Sequence, residues 1–225
     1  MIDIIIPTMW KSKNFLQYLE KYLTNEFINK VIIIDNDYQK RPKFNFQNQK
    51  ISIFKFTSNI FVNPAWNYGV SLSNSNIVCL GSDDLFIEDD VFSYVSEINF
   101  ENENIDIIGA KPTKEKVKLF LDKIDVDKTK FIGDQYYGFG TCMFIPRIKY
   151  TNIPSLYKIW FGDDFLVSKS KNVYIIPILF DKYEMSTTIN RFQDKKILKS
   201  RLDLDMKNAK KFLNCHSKFK KLINN

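Results

Sequence analysis

The stretch Asn76–Phe86, NIVCLGSDDLF, runs from a short apolar segment straight into two adjacent aspartates, Asp83 and Asp84. An apolar run of this length, bounded by small and polar residues, reads as a strand buried on both faces, the kind a parallel sheet contains. Two ionised carboxylates about 4 Å apart repel by roughly 4 kcal/mol at an effective dielectric near 20. Open water or a bound cation must offset that repulsion at the end of the strand.

Outward from this stretch the pattern repeats. Ile2–Ile6, Lys30–Ile34 and Ile51–Phe56 read as further buried strands. Phe15, Leu16, Leu19 and Leu23 share one side of a helix over 12–23, and Pro64–Leu72 reads as a second helix. Asp89 or Asp90 is placed to cap a third helix over Val91–Ile98, and Ile105–Ala110 returns as a strand. Alternation of Val117, Leu119, Leu121 and Ile124 predicts a half-exposed antiparallel strand over Val117–Asp125. The expected class is α/β, a mixed but mostly parallel sheet with helices on both faces.

The chain has 225 residues, 44% of them hydrophobic and 15% aromatic, enough to build a real core and too apolar for a disordered chain. Cys79, Cys142 and Cys215 are widely spaced, match no zinc or haem pattern and are odd in number, which points to a reducing compartment. No stretch reaches the length of a membrane span, so a cytoplasmic chain, at most peripheral at a membrane, is expected. Residues 195–225 carry nine Lys and one Arg against Asp203 and Asp205, a charge of +8 within a total of +7, so the remaining 194 residues sum to −1. Leu198, Leu202, Met206, Ala209, Leu213, His216 and Ile223 fall near helical spacing there, predicting a basic amphipathic helix. A docked helix with a solvated lysine face is the plainer reading; attraction to an anionic membrane surface or to nucleic acid is the sharper one.

In open sheets of this type ligands bind at the carboxyl ends of the strands. Those ends read Pro7-Thr8, Asp35-Asn36-Asp37 and Ser82-Asp83-Asp84. Each alone is an ordinary turn or cap. Together they form an acidic edge that would repel a phosphorylated ligand unless a divalent ion mediates, and hard oxygen donors select Mg²⁺ or Mn²⁺.

The segments DIIIPT (3–8), VIIIDND (31–37), NPAWNYGVSLSNSNIVCLGSDDLF (63–86), YGFGTCMFIPR (137–147) and WFGDDFL (160–166) resemble, in order and spacing, nucleotide-sugar glycosyltransferases of the GT-A fold. The likeness is to the large inverting family that includes bacterial polysaccharide enzymes, and it covers about residues 1–190. It implies a catalytic domain over 1–190, with a nucleotide-binding half (1–110) and an acceptor half (111–190), followed by the basic tail (191–225). Thr8, Asp35, Asn36 and Asn67 would contact or support the nucleotide, which the family most often reads as uridine. Gly69 belongs with Asn67 on the supporting helix, where Trp66 stands at a position often basic. Asp83 would touch the ribose and Asp84 would ligate Mn²⁺ or Mg²⁺. Gly138, Gly140 and Thr141 would lie beside the donor sugar and the acceptor.

Inverting transfer needs a carboxylate that takes the proton of the acceptor hydroxyl. The resemblance implies Asp164 for this role with Asp163 as runner-up, and Trp160 as a platform for the acceptor. One of the two aspartates could also cap the following helix. Some relatives complete the metal site with a late histidine. The single histidine here, His216, falls in the tail, and Glu184 is the nearest ligand type at the matching place.

The expectation is a metal-dependent enzyme that moves a sugar from a nucleotide-sugar, a UDP-sugar first, to a glycan or other hydroxyl acceptor with inversion. A dinucleotide oxidoreductase would need G-x-G-x-x-G after the first strand, and a sugar-phosphate nucleotidyltransferase a Gly-rich basic loop; Pro7-Thr8-Met9-Trp10 is neither. The alternative is a nucleic-acid-binding protein, or a glycosyltransferase acting on modified nucleic-acid bases through the basic tail.

Overall fold

The structure, a computed structural model, describes residues 1–44, 48–128, 130–180 and 195–213. The strands are β1 (Ile2–Thr8), β2 (Ile28–Asp35), β3 (Ile51–Lys55), β4 (Ile77–Leu80), β5 (Ile107–Thr113), β6 (Asp122–Ile124), β7 (Met143–Pro146) and β8 (Val173–Leu179). The helices are α1 (Phe15–Thr24), α2 (Val62–Leu72), α3 (Asp89–Glu97), α4 (Ile132–Gln135), α5 (Gly162–Lys169) and α6 (Lys195–Leu213).

The strands form one sheet in the order β3-β2-β1-β4-β7-β5-β8-β6. Its first four strands are mutually parallel, as are β5 and β8; β7 runs antiparallel between β4 and β5, and β6 antiparallel on β8. β1 is buried along its whole length, so it carries isoleucine on both faces and separates two cores. Ile2, Ile4 and Ile6 pack with Phe15, Leu19 and Tyr22 of α1 and with Val91, Phe92 and Val95 of α3. Ile5 faces the other way, with Ala65, Trp66 and Val70 of α2 and with Phe165 and Leu166 of α5. Gly69 lets α2 lie directly on β1, because a Cβ there would overlap the Ile5 side chain.

The chain leaves β1 toward β2 on one side, and β4 closes on the other side of β1. That reversal of direction is where an open α/β sheet leaves a crevice at its carboxyl edge.

Two expectations change. The strand over Val117–Asp125 shrinks to Asp122–Ile124, paired antiparallel with β8, and the segment before it is not strand. Asp89 and Asp90 do not cap α3 but occupy its first turn after Glu88. There Asp89 accepts from Asn25 Nδ2 at 2.8 Å and Asp90 pairs with Lys116 at 2.8 Å, where acids also suit the positive end of the helix. The plainer reading of the basic tail, a docked helix, holds along its described length: Leu202, Met206 and Ala209 of α6 join the core that holds Ile5 and Phe165. Among the described residues, no helix is long and apolar enough to cross a membrane.

Candidate active site

Thr8, Asn36 and Asp83 come together in one cleft at the carboxyl ends of β1, β2 and β4, with Pro7, Met9, Lys11, Asn59, Phe61, Val62 and Ile159. Parallel pairing sets this up, since Thr8 lies opposite Asp35 in the β1–β2 register and Gly81 N donates to Ile5 O at 2.9 Å beyond the last β4 pair. The turn after β4 therefore delivers Asp83 beside Thr8, whose hydroxyl donates to Asp83 Oδ2 at 2.6 Å.

Asp83 is half-buried. Desolvation pushes its carboxyl up to about 7; the neighbouring Asp84 charge adds to that, against the Thr8 hydrogen bond, which favours the ionised form. Asp84 accepts a hydrogen bond from the Ser82 hydroxyl. Below about pH 7 a proton on Asp83 relieves the repulsion between the two carboxylates.

Asp35 is fully buried behind the cleft. Its Oδ1 accepts from Trp10 Nε1 at 2.8 Å and from Asp37 N at 3.2 Å, and Oδ2 lies 3.9 Å from the Arg41 guanidinium. Asn36 N donates to Thr8 O at 2.9 Å, and its Oδ1 accepts from Ile60 N at 3.2 Å, so this side chain also fixes the approach to α2. Trp66 Nε1 donates to Gly81 O at 3.3 Å, pinning the turn that carries the twin aspartates.

Asn67 is not brought to the cleft. Its Oδ1 accepts from Tyr150 Oη at 2.7 Å and Ile153 N at 2.9 Å, while Nδ2 donates to Ile153 O at 2.7 Å. An amide occupied on both ends by the 150–153 segment is a tether between α2 and the second half of the chain.

Asp163 and Asp164 open α5, and they point to different partners. Asp164 Oδ1 accepts from Ile132 N at 2.7 Å, so it caps α4 rather than its own helix. Burial, then the charge of Asp163, pushes Asp164 up to about 8. The Asp163 carboxylate lies against Gly140, where any Cβ would overlap it; desolvation raises its carboxyl too. Asp163 thus faces the Gly138–Thr141 loop that the resemblance places beside the donor sugar.

Three bulky residues around these elements hold a positive φ: Trp10 (φ 58°), Phe61 (φ 70°) and Phe161 (φ 64°). Such conformations cost on the order of 1–3 kcal/mol each and gather at ligand sites. Sequence reading missed Trp10 and Phe61, because no residue type advertises a positive φ when it is not glycine. It also missed Ile159, whose chain distance from the first three strands hides its place in the cleft.

Among the described residues, no three His, Cys, Asp or Glu side chains converge as a ligand set. The donors present still suit a hard ion with few protein ligands. Asp83 and Asp84 offer only oxygen, and a group near pKa 7 releases its proton readily to a cation. Glu184 and His216 lie outside the described residues.

No protein-family model matches the sequence, and no curated protein does. Solved structures do match. S. aureus TarS 1–349 in complex with UDP superposes with a TM-score of 0.57 at 10% identity, covering 99% of this chain and 73% of that one. The chain has the GT-A fold. The same S. aureus protein in complex with UDP-GlcNAc gives a TM-score of 0.54 at 10% identity, over 80% of this chain and 59% of that one. TarS 1–349 without a named ligand gives 0.55 at 9%, covering 79% of this chain but only 60% of that chain's length. On this GT-A fold, the Thr8, Asn36 and Asp83 cleft sits where the sheet reverses direction, the place where such folds take their ligands.

Proposed function

We propose that this protein is a glycosyltransferase that uses a nucleotide-sugar, a UDP-sugar first, and delivers the sugar to a hydroxyl acceptor with inversion. The convergence of Thr8, Asn36 and Asp83 on one cleft of a GT-A fold carries this reading. The solved structures it resembles include forms bound to UDP and to UDP-GlcNAc, which supports a uridine donor.

In this reading the base enters beside Asp35 and Asn36, and Asp83 accepts from the ribose. Asp84, with Asp83 at its side, would hold Mn²⁺ or Mg²⁺, which when bound supplies positive charge to the diphosphate leaving group. The acceptor oxygen attacks the anomeric carbon, the bond from that carbon to the diphosphate oxygen breaks, and the hydroxyl proton passes to a carboxylate of the Asp163/Asp164 pair. Their positions favour Asp163: Asp164 has one oxygen committed to Ile132 N, whereas Asp163 faces Gly140. Burial raises both, and so strengthens either as a base once ionised.

The test is transfer and donor binding with Asp163→Asn and Asp164→Asn. The variant of the true base keeps UDP affinity and loses turnover by 10²-fold or more, on the order expected for general-base catalysis. Full turnover in both variants would end the assignment to this pair. Salt-sensitive nucleic-acid binding that survives Asp84→Ala, without donor turnover, would favour the binder reading of the basic tail.

A further inference from the structure

The one fully buried carboxylate of α6 is Asp205. It lies on the apolar side of the helix, between Leu202 and Ala209, where a solvated charge has no business. Its Oδ2 accepts from three consecutive backbone amides, Lys158 N at 3.2 Å, Ile159 N at 2.9 Å and Trp160 N at 3.3 Å. Successive N–H groups turned toward one point form a concave anion site, and here the helix supplies the anion.

The segment 158–160 is held from its other side by α2. Asn63 N donates to Lys158 O at 3.1 Å, and Asn63 Nδ2 donates to Trp160 O at 3.2 Å. Asn63 follows Phe61 and Val62 of the cleft wall, and Ile159 is itself part of that wall. Arg201, one turn before Asp205, places its guanidinium 4.9 Å from the centre of the Phe61 ring. Beyond Trp160 the chain turns through Phe161 at positive φ and enters α5 with Asp163 and Asp164.

We propose that Asp205 is a positioning residue of the donor site: by gathering the amides of 158–160 it fixes Ile159 in the cleft and sets the entry to α5. The tail helix is then a working wall of the site, not only a basic surface. This inference rests on the donor reading given above.

The full chain is compared as wild type, Asp205→Ala and Asp205→Asn. Two measurements are made: hydrogen exchange at the amides of 158–160, and UDP affinity by calorimetry with Mn²⁺. In Asp205→Ala those amides exchange about tenfold faster or more and the UDP Kd rises about tenfold, while β1 and β2 keep their protection. Asp205→Asn retains an acceptor oxygen and recovers part of both, and in turnover the donor KM rises more than kcat falls. Should Asp205→Ala not fold, Asp205→Asn alone carries the comparison. Faster exchange with unchanged UDP affinity in the folded variants would overturn the proposal, leaving Asp205 a purely architectural contact. Failure of the wild type to bind UDP would instead fell the donor reading, and this inference with it, a result visible before any variant is measured.

Discussion

The Thr8 hydroxyl donates to Asp83 across 2.6 Å, joining the end of β1 to the turn after β4 at the floor of the cleft. The Met9 amide bonds the same carboxylate, so this one side chain makes a double tie between the two strand ends. With it, the protonation of Asp83 becomes part of how the cleft is held.

Asp83 is raised to about 7 in the folded protein, against an unfolded carboxyl near 4. Between those values the native state binds more protons than the unfolded state, so stability falls as pH rises through that window. The loss from this group is at most about 1.4 kcal/mol per pH unit. Denaturant unfolding of Asp83→Asn should show a flatter pH dependence between about 4 and 7. Thr8→Val removes a bond that favours the ionised form, so its window should extend upward.

A divalent ion held as proposed by Asp83 and Asp84 would compete with that proton. UDP with Mn²⁺ at about 100 times its Kd should raise the melting temperature on the order of 5–10 °C. The shift should be larger at pH 8 than at pH 6, and Asp84→Ala should remove its metal-dependent part. A metal-independent shift in the wild type would sink the ligand role given to Asp84.

Gly140→Ala drives a methyl into the Asp163 carboxylate. Overpacking of this kind costs about 1–3 kcal/mol, and here it also displaces the carboxylate assigned to proton transfer, so turnover should fall more than UDP affinity. Gly133→Ala is the control: a Cβ there meets nothing within 4 Å, and the substitution should leave both unchanged.

Asn67→Ala breaks three hydrogen bonds to the 150–153 segment. Stability should drop by about 1–3 kcal/mol as buried partners lose their mates. UDP affinity of the folded protein should stay within about twofold, the result that separates a tether from a nucleotide contact.

Much of the first half was legible because its strands are buried on both faces and its cleft-lining groups stand at or just after their ends. Ile2–Ile6 and Asn76–Leu80 announce themselves as apolar runs, and Thr8 and Asp83 follow at the ends that parallel pairing gathers. The second half was less readable. β7 is four residues long and enters the sheet antiparallel, a placement set by its neighbours β4 and β5 rather than by its own pattern. Asn67 showed its motif spacing but not its partners in the 150–153 segment, since spacing along a helix does not reveal which loop packs over it. Asp205 did leave a trace, an acid on the apolar side of a helix, and only the folded structure supplies the amides that explain it.

The chain has three tryptophans, and each touches the machinery described above. The Trp10 indole bonds Asp35, the Trp66 indole bonds the turn before the twin aspartates, and the Trp160 main chain bonds Asp205. Tryptophan emission, excited beyond the tyrosine band, is therefore a built-in optical reporter. Single Trp→Phe replacements would resolve it into separate channels for the buried Asp35, the acidic turn and the docked tail.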